Sequence, residues 1–570
     1  MSSFSSSTSK LEQKLPSDGK DPQREPSCRH CSNLSSHLLD KNVHKSFNAD
    51  EDTPELSFQP YQNFKETSDS GCKYCSLICK AAEVQPFPAL ASATSIQVTF
   101  HHDRTTLWQT FIKSGGPTGP RYKTLPRATP LSESTSSEEV FEFLRSQLFL
   151  CEKNHKECLK TSESKAPKRL LNVGSLDGNI QLQLSDAKSR KRYAALSYCW
   201  GGKQTLKLTK ETELSFQEPI RWEDIPPLLQ DAITFCRRLD IPFLWIDALC
   251  ILQDQGCNSE WGQEAAHMAD VYQNATVTIY AACCSNPQQS FLSLEGSTLR
   301  KVHILETCAK TGEPKVVARV SRLRGFHTSQ HLKRVLDPLE KRAWAFQEYE
   351  MSRRLIAYTS NEIQWRCRNI STCEPGCIES LPKASLKYRD PIPHLARRLE
   401  ESSVIKIFAQ WQVMIEKYTL TSVSFSEDKL VALAGLASIY GMRLNSRYLA
   451  GLWKENLVLD LLWIRDNVVY WTKSQHNSDT YRAPSFSWAS IDRPVRYIHI
   501  KIDHQVIEFE KEDYKTVSED LYGQISGALL HIRSQLIPAT LILTGKKPNY
   551  QLASVGLVVL LHWKKAVSGY

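Results

Sequence analysis

The chain has 570 residues, enough on length alone for about two to four domains, and its 41% hydrophobic and 23% charged content is that of an ordinary globular protein. A net charge of +9 is mild for that length. No basic stripe with interleaved aromatics extends beyond short runs such as Lys188–Tyr193 (KSRKRY), so no nucleic-acid partner is expected.

The opening MSSFSSSTSK has no apolar core, which argues against a secretory signal. Residues 1–25 carry almost no large apolar side chains and are expected to be disordered. Residues 26–185 read as a cysteine-rich N-terminal region, with a strand-like stretch at Ser92–His102 and a helix from Glu138 to Leu150 whose start is rich in Ser and Glu. From Lys191 the pattern alternates. Lys191–Cys199 predicts a strand. Ile225 to Leu239 carries apolar residues at helical spacing behind Pro226 and Pro227. Phe243–Leu252 is a near-continuous apolar run that suits a strand buried on both faces. Glu260–Tyr272 again has helical spacing, and Ala275–Ala282 predicts a third strand. This order implies an α/β fold with a parallel sheet. Leu339–Tyr349 predicts a helix, and the runs from Arg354 and Glu362 a hairpin. Further on, Asp428–Gly441 ends a long helical segment, and Gly451–Ile464 predicts an amphipathic helix. The run Val555–Trp563 is too short to span a bilayer and reads as a buried strand. No transmembrane segment is expected, the predicted location is cytoplasmic, and the 17 cysteines should mostly be reduced thiols.

Four tryptophan-marked blocks follow one another: YAALSYCWGG (Tyr193–Gly202), LWIDALCILQDQ (Leu244–Gln255), EWGQEAAHMADVYQNATVTIYAA (Glu260–Ala282) and RAWAFQEYEMSRRLIAYTSNEIQWRC (Arg342–Cys367). In this order they resemble the fungal heterokaryon-incompatibility (HET) domain family. That resemblance implies a HET domain at 190–370 and a C-terminal HET-associated helical and strand region at 371–570. It also implies a role in non-self recognition and programmed cell death. The first and third blocks also resemble TIR domains, which implies a TIR-like, flavodoxin-like sheet and, by that route, cleavage of NAD(P) at the bond to nicotinamide. Within that resemblance Glu264 and Asp247 are the catalytic candidates. Trp261 and Glu264 lie three residues apart, where the TIR pattern usually places them four apart.

Each candidate also has a plainer reading. Glu264 suits the first turn of a helix, where the macrodipole favours a carboxylate. Asp247 lies in an apolar run, where it is costly unless paired; it either faces the ligand crevice at a strand end or caps a turn or pairs with Arg342. Ser197, Trp200, Gly201 and Gly202 form a strand-to-loop corner that suits either a close-approaching ligand or a tight turn. Trp261 joins them as a ligand-facing candidate. Arg342, Trp344, Gln347 and Glu348 would either bind a nucleotide, with Arg342 on pyrophosphate, or lock a helix to the sheet. No Walker loop, GxGxxG or GxSxG is present.

Cys28, Cys31, Cys72 and Cys75 form two CxxC pairs that suit either structural zinc or unmetallated thiols. Cys367, Cys373 and Cys377 lack paired spacing and are not expected to hold metal. No cofactor is expected to be required; structural zinc is one reading of those thiols, and NAD(P) enters as a candidate substrate. The non-enzymatic alternative is an assembly module that self-associates or joins other incompatibility or signalling proteins through the HET surface.

Overall fold

The computed structural model describes residues 28–29, 61–83, 108–112, 132, 134–159, 167–174, 180–184, 191–202, 206–254, 260–294, 302–307, 314–320, 336–360, 362–374, 399, 402–466, 481–498, 507–517, 520–534, 541–544 and 549–552. They fall into two compact units, one holding the residues up to Glu83 and the other those from Trp108 onward. In the first, helices Tyr61–Asp69 and Lys73–Glu83 are joined by a short turn. The strand-like Ser92–His102 and Val555–Trp563, and residues 1–25, lie outside the described residues.

The second unit is built on one eight-stranded sheet. Its strands are β1 (Arg169–Asn172), β2 (Gln181–Leu184), β3 (Tyr193–Ser197), β4 (Phe243–Trp245), β5 (Val277–Tyr280), β6 (Arg354–Tyr358), β7 (Ile363–Cys367) and β8 (Ser371–Cys373). Across the sheet the order is β8-β7-β6-β5-β3-β4-β1-β2. The central four, β4-β3-β5-β6, are parallel. Antiparallel strands extend both sides, β1 and β2 beyond β4 and the β6–β7–β8 meander on the other. The three strands expected to be parallel are so. The sheet as a whole is mixed, because hairpins complete both edges.

The crossovers are α2 (Pro227–Arg238) and α4 (Glu260–Asn274), as the spacing predicted. Pro227 occupies the first turn of α2, where a missing N–H costs nothing. Upstream, α1 (Glu138–Asn154) is capped by the Ser137 hydroxyl, which accepts from Val140 N–H at 3.4 Å. Its buried Val140, Phe141, Leu144 and Leu148 join the same core as β3 to β6.

Two sequence expectations are corrected. The run Phe243–Leu252 is not one strand: β4 stops at Trp245 and Asp247–Cys250 make a single helical turn, α3. Asp247 starts that turn by accepting the Ala248 N–H at 2.7 Å, a local bond that competes with the ladder. The segment Gly451–Ile464 is not one amphipathic helix either. It breaks into a short strand (Leu452–Trp453), two single helical turns (Lys454–Asn456, Leu457–Asp460) and strand Trp463–Arg465. Buried Asp460 organises the break, accepting from Trp453 N–H, Gln412 and Asn456.

Helix α5 (Ala343–Met351) leads into β6. Beyond the sheet, α6 (Val404–Tyr418) and α7 (Ala434–Leu444) pack with Trp453 and Trp488. Rings of Trp411, Tyr440, Tyr448 and Trp453 meet edge to face at centroid distances of 5.1–6.0 Å. The indoles of Trp411 and Trp488 both donate to the Gly451 carbonyl. Gly451 has φ +98°, and a Cβ there would lie 2.6 Å from the Trp488 indole nitrogen.

Candidate functional site

In a doubly wound sheet, ligands bind beyond the carboxyl ends of the strands where strand order reverses. Here the first parallel strand in sequence, β3, is flanked by the second, β4, and the third, β5. The reversal therefore lies at β3, and the chain leaves it as Tyr198-Cys199-Trp200-Gly201-Gly202.

A polar cluster occupies that edge. The Ser197 hydroxyl, at the end of β3, donates to the Glu348 carboxylate on α5. Trp200 Nε1 donates to Asp247 Oδ2 at 2.8 Å. Arg342 Nη1, at the start of α5, donates to the Tyr198 carbonyl. From α4 the Tyr272 hydroxyl donates to Leu196 O at 3.1 Å and also reaches Glu348. Four separate segments thus converge on two carboxyl groups.

Burial pushes the Glu348 carboxyl up to about 7, and the nearby Asp247 charge adds to this, while Ser197, Arg342 and Tyr272 pull the other way. Asp247 is pushed up to about 6, again chiefly by burial, with Arg342, Ala248 N–H, Trp200 and Tyr198 opposing. Two neighbouring acids that titrate close to neutrality can share acid and base roles. The adjoining surface is the exposed Gly201-Gly202 pair beside half-buried Trp200. Gly201 has φ +69°, and a Cβ there would lie 2.7 Å from Asn286 Cβ. A Cβ on Gly202 would meet nothing within 4 Å.

The other sequence candidates are placed elsewhere or differently. Glu264 is half-buried on α4 and takes no part in the cluster's hydrogen bonds. The side chain of Trp261 lies outside the described residues. Trp344 Nε1 donates to Asp428 at 3.2 Å, and Gln347 Oε1 accepts from Gly435 N–H at 2.9 Å and Leu436 N–H at 3.4 Å. Both side chains therefore join α5 to the C-terminal helices. Tyr198 and Tyr272 belong to the cluster, yet the sequence reading did not single them out. Tyr272 falls on the apolar stripe of α4, and nothing in that spacing distinguishes a working hydroxyl from a core ring.

In the N-terminal unit, the thiols of Cys28, Cys72 and Cys75 lie within 4.8 Å of one another, with Cys28 Sγ and Cys75 Sγ 3.7 Å apart. Such a group can hold a metal such as zinc. Cys31 lies outside the described residues. Among the described residues, no helix is long and apolar enough to cross a membrane.

Residues 193–348, which contain every member of the polar cluster, match the family model described as Heterokaryon incompatibility protein (HET). No curated protein and no solved structure matches the chain.

Proposed function

We propose that this chain, whose residues 193–348 match the HET family model, is an effector of fungal non-self recognition that promotes programmed cell death by TIR-like cleavage of NAD(P). The observation that carries the reading is half-buried Asp247 and buried Glu348 near the strand-order reversal, with both groups held above the usual carboxylate range. Loss of nicotinamide needs no proton on the leaving group, because the pyridinium nitrogen becomes neutral as the bond to C1′ breaks. It needs a negative charge beside the developing oxocarbenium ion and a base for the incoming water. Asp247 is largely ionised at neutral pH and supplies the charge. Glu348, poised near 7, takes the water proton. Half-buried Trp200 offers a ring and Arg342 a cation for phosphate. Glu264, from the TIR resemblance, stands as a third carboxylate to be tested beside these two.

Purified full-length protein incubated with NAD should release nicotinamide, with a rate that rises as pH passes from about 6 to 8. Asp247→Asn and Glu348→Gln should each lower the rate by about a hundredfold or more, the scale of removing one key electrostatic group. Both should also abolish toxicity on overexpression while remaining folded. Glu264→Gln assigns the helix glutamate in or out of the reaction. If the parent releases no nicotinamide yet kills cells, the enzyme reading fails. The protein is then a non-enzymatic module that assembles with partners through its HET surface. The internal pairing of the cluster, Ser197 with Glu348 and Trp200 with Asp247, would in that case serve to hold the strand ends.

A further inference from the structure

A second cluster lies on the sheet away from these carboxyl groups. Cys151 lies in the last turn of α1, and His155, just past its end, closes the helix through its N–H to Cys151 O at 3.1 Å. Cys158 sits in the next helical turn, Lys156–Leu159. Cys367, the last residue of β7, comes to the same place across 212 residues of sequence from His155. One ligand atom from each of the four residues lies within 4.8 Å of all the others. Cys367 Sγ is 3.4 Å from His155 Nδ1. A tetrahedral zinc with three sulfur ligands and one nitrogen has edges of about 3.6–3.8 Å, from metal–sulfur bonds near 2.3 Å and metal–nitrogen bonds near 2.0–2.1 Å. The four side chains therefore need only small adjustments to close on an ion.

Positive and N–H groups point at two of the sulfurs. Arg354 Nε donates to Cys151 Sγ at 3.1 Å, and the N–H groups of Asn369 and Ile370 each donate to Cys367 Sγ at 3.4 Å. Arg354 is itself buried, and its remaining bonds go to the carbonyls of Thr276 and Cys158. Among the described residues no carboxylate pairs with it. A buried guanidinium without a counter-charge is costly. Three thiolates around a divalent ion carry a net charge of about −1, which matches the guanidinium. The donor set has no carboxylate and leaves no open position, which suits structural zinc rather than magnesium, calcium or a catalytic ion.

We propose that Cys151, His155, Cys158 and Cys367 bind one zinc ion in a closed tetrahedral centre that staples the end of α1 to the end of β7. His155 binds through Nδ1, the nitrogen that faces Cys367. The ion fixes α1 to β7 without touching the Asp247–Glu348 chemistry.

The test is metal content of the full-length protein, purified under reducing conditions with zinc in the medium and measured by mass spectrometry of the eluted ion. Cys367→Ser should carry one zinc fewer per chain than the parent and melt at a lower temperature. Cys75→Ser, which alters only the N-terminal thiol group, should leave this ion in place. A parent without zinc, a folded Cys367→Ser with undiminished zinc, or a parent whose mass shows two of these cysteines oxidised to a disulfide would each overturn the proposal. Should Cys367→Ser fail to fold, cobalt exchange decides. The parent should show the intense visible bands of tetrahedral cobalt. His155→Cys should keep the ion and strengthen the thiolate-to-metal charge-transfer band, because one more sulfur binds. Identical charge-transfer bands in the two proteins would overturn it.

Discussion

Neighbouring side chains on α5 serve different ends. Glu348 turns to Ser197 and the sheet edge, while Gln347 beside it turns to the backbone of α7. Glu348 carries a pH signature with a definite sign. Its folded value, about 7, lies above the ordinary 4.5. The folded state therefore holds more protons than the unfolded chain between those values. The stability this lends is full below about 4.5 and is lost as pH rises to 7. Glu348→Gln removes that slope, so the variant should melt above the parent at pH 8 and close to it at pH 5. The difference is about 2–3 kcal/mol at most. Equal slopes in thermal melts of the two proteins would refute the assignment. Gly201→Ala makes a second test. Its positive φ and the 2.7 Å approach to Asn286 should cost about 1–3 kcal/mol in denaturant titrations. The need for glycine at this corner was legible in the Gly-Gly pair. The atom that enforces it, 85 positions on, was not, since no local pattern encodes a tertiary neighbour.

Elements were legible where burial is periodic. The two crossover helices and the three strands they connect follow directly from apolar spacing, because both faces of that layer are covered. Legibility failed where a single polar residue redirects the chain. Asp247 turns an apolar run into strand plus helical turn, and Asp460 breaks an apparent helix into four pieces. Hydropathy averages over such residues, whereas their hydrogen bonds decide the local backbone. The α5–α7 junction shows the same principle between elements. Gln347 satisfies two N–H groups in the first turn of α7, and a Cβ on Gly435 would lie 2.7 Å from Ala269 Cβ on α4. Gln347→Ala should destabilise the protein by about 1–3 kcal/mol, because it leaves buried donors unpaired. Hydrogen exchange should locate the loosening in α7. An unchanged exchange rate there would show that water replaces the side chain at no cost.

At the scale of the molecule, one hydrophobic cluster runs from Val140 through β3 to β6 and on to Trp411, Trp488 and Ile525. A fragment that stops after β8 removes α6 and α7 from this cluster. It should express as an aggregating or dye-binding species, and a soluble, cooperatively melting fragment would contradict that expectation. The segment 193–348 that matches the HET family model is thus not by itself a unit of folding. This has a consequence for inheritance. A recombination tract that exchanged only that segment between two diverged alleles would bring in Gln347 and Trp344 from one parent and their partners at Gly435 and Asp428 from the other. Such hybrids carry mismatched seams inside a continuous core. Viable crossovers should therefore fall outside the span from α1 to Ile525, so that variants of this chain are inherited whole and seldom as exchanged cassettes.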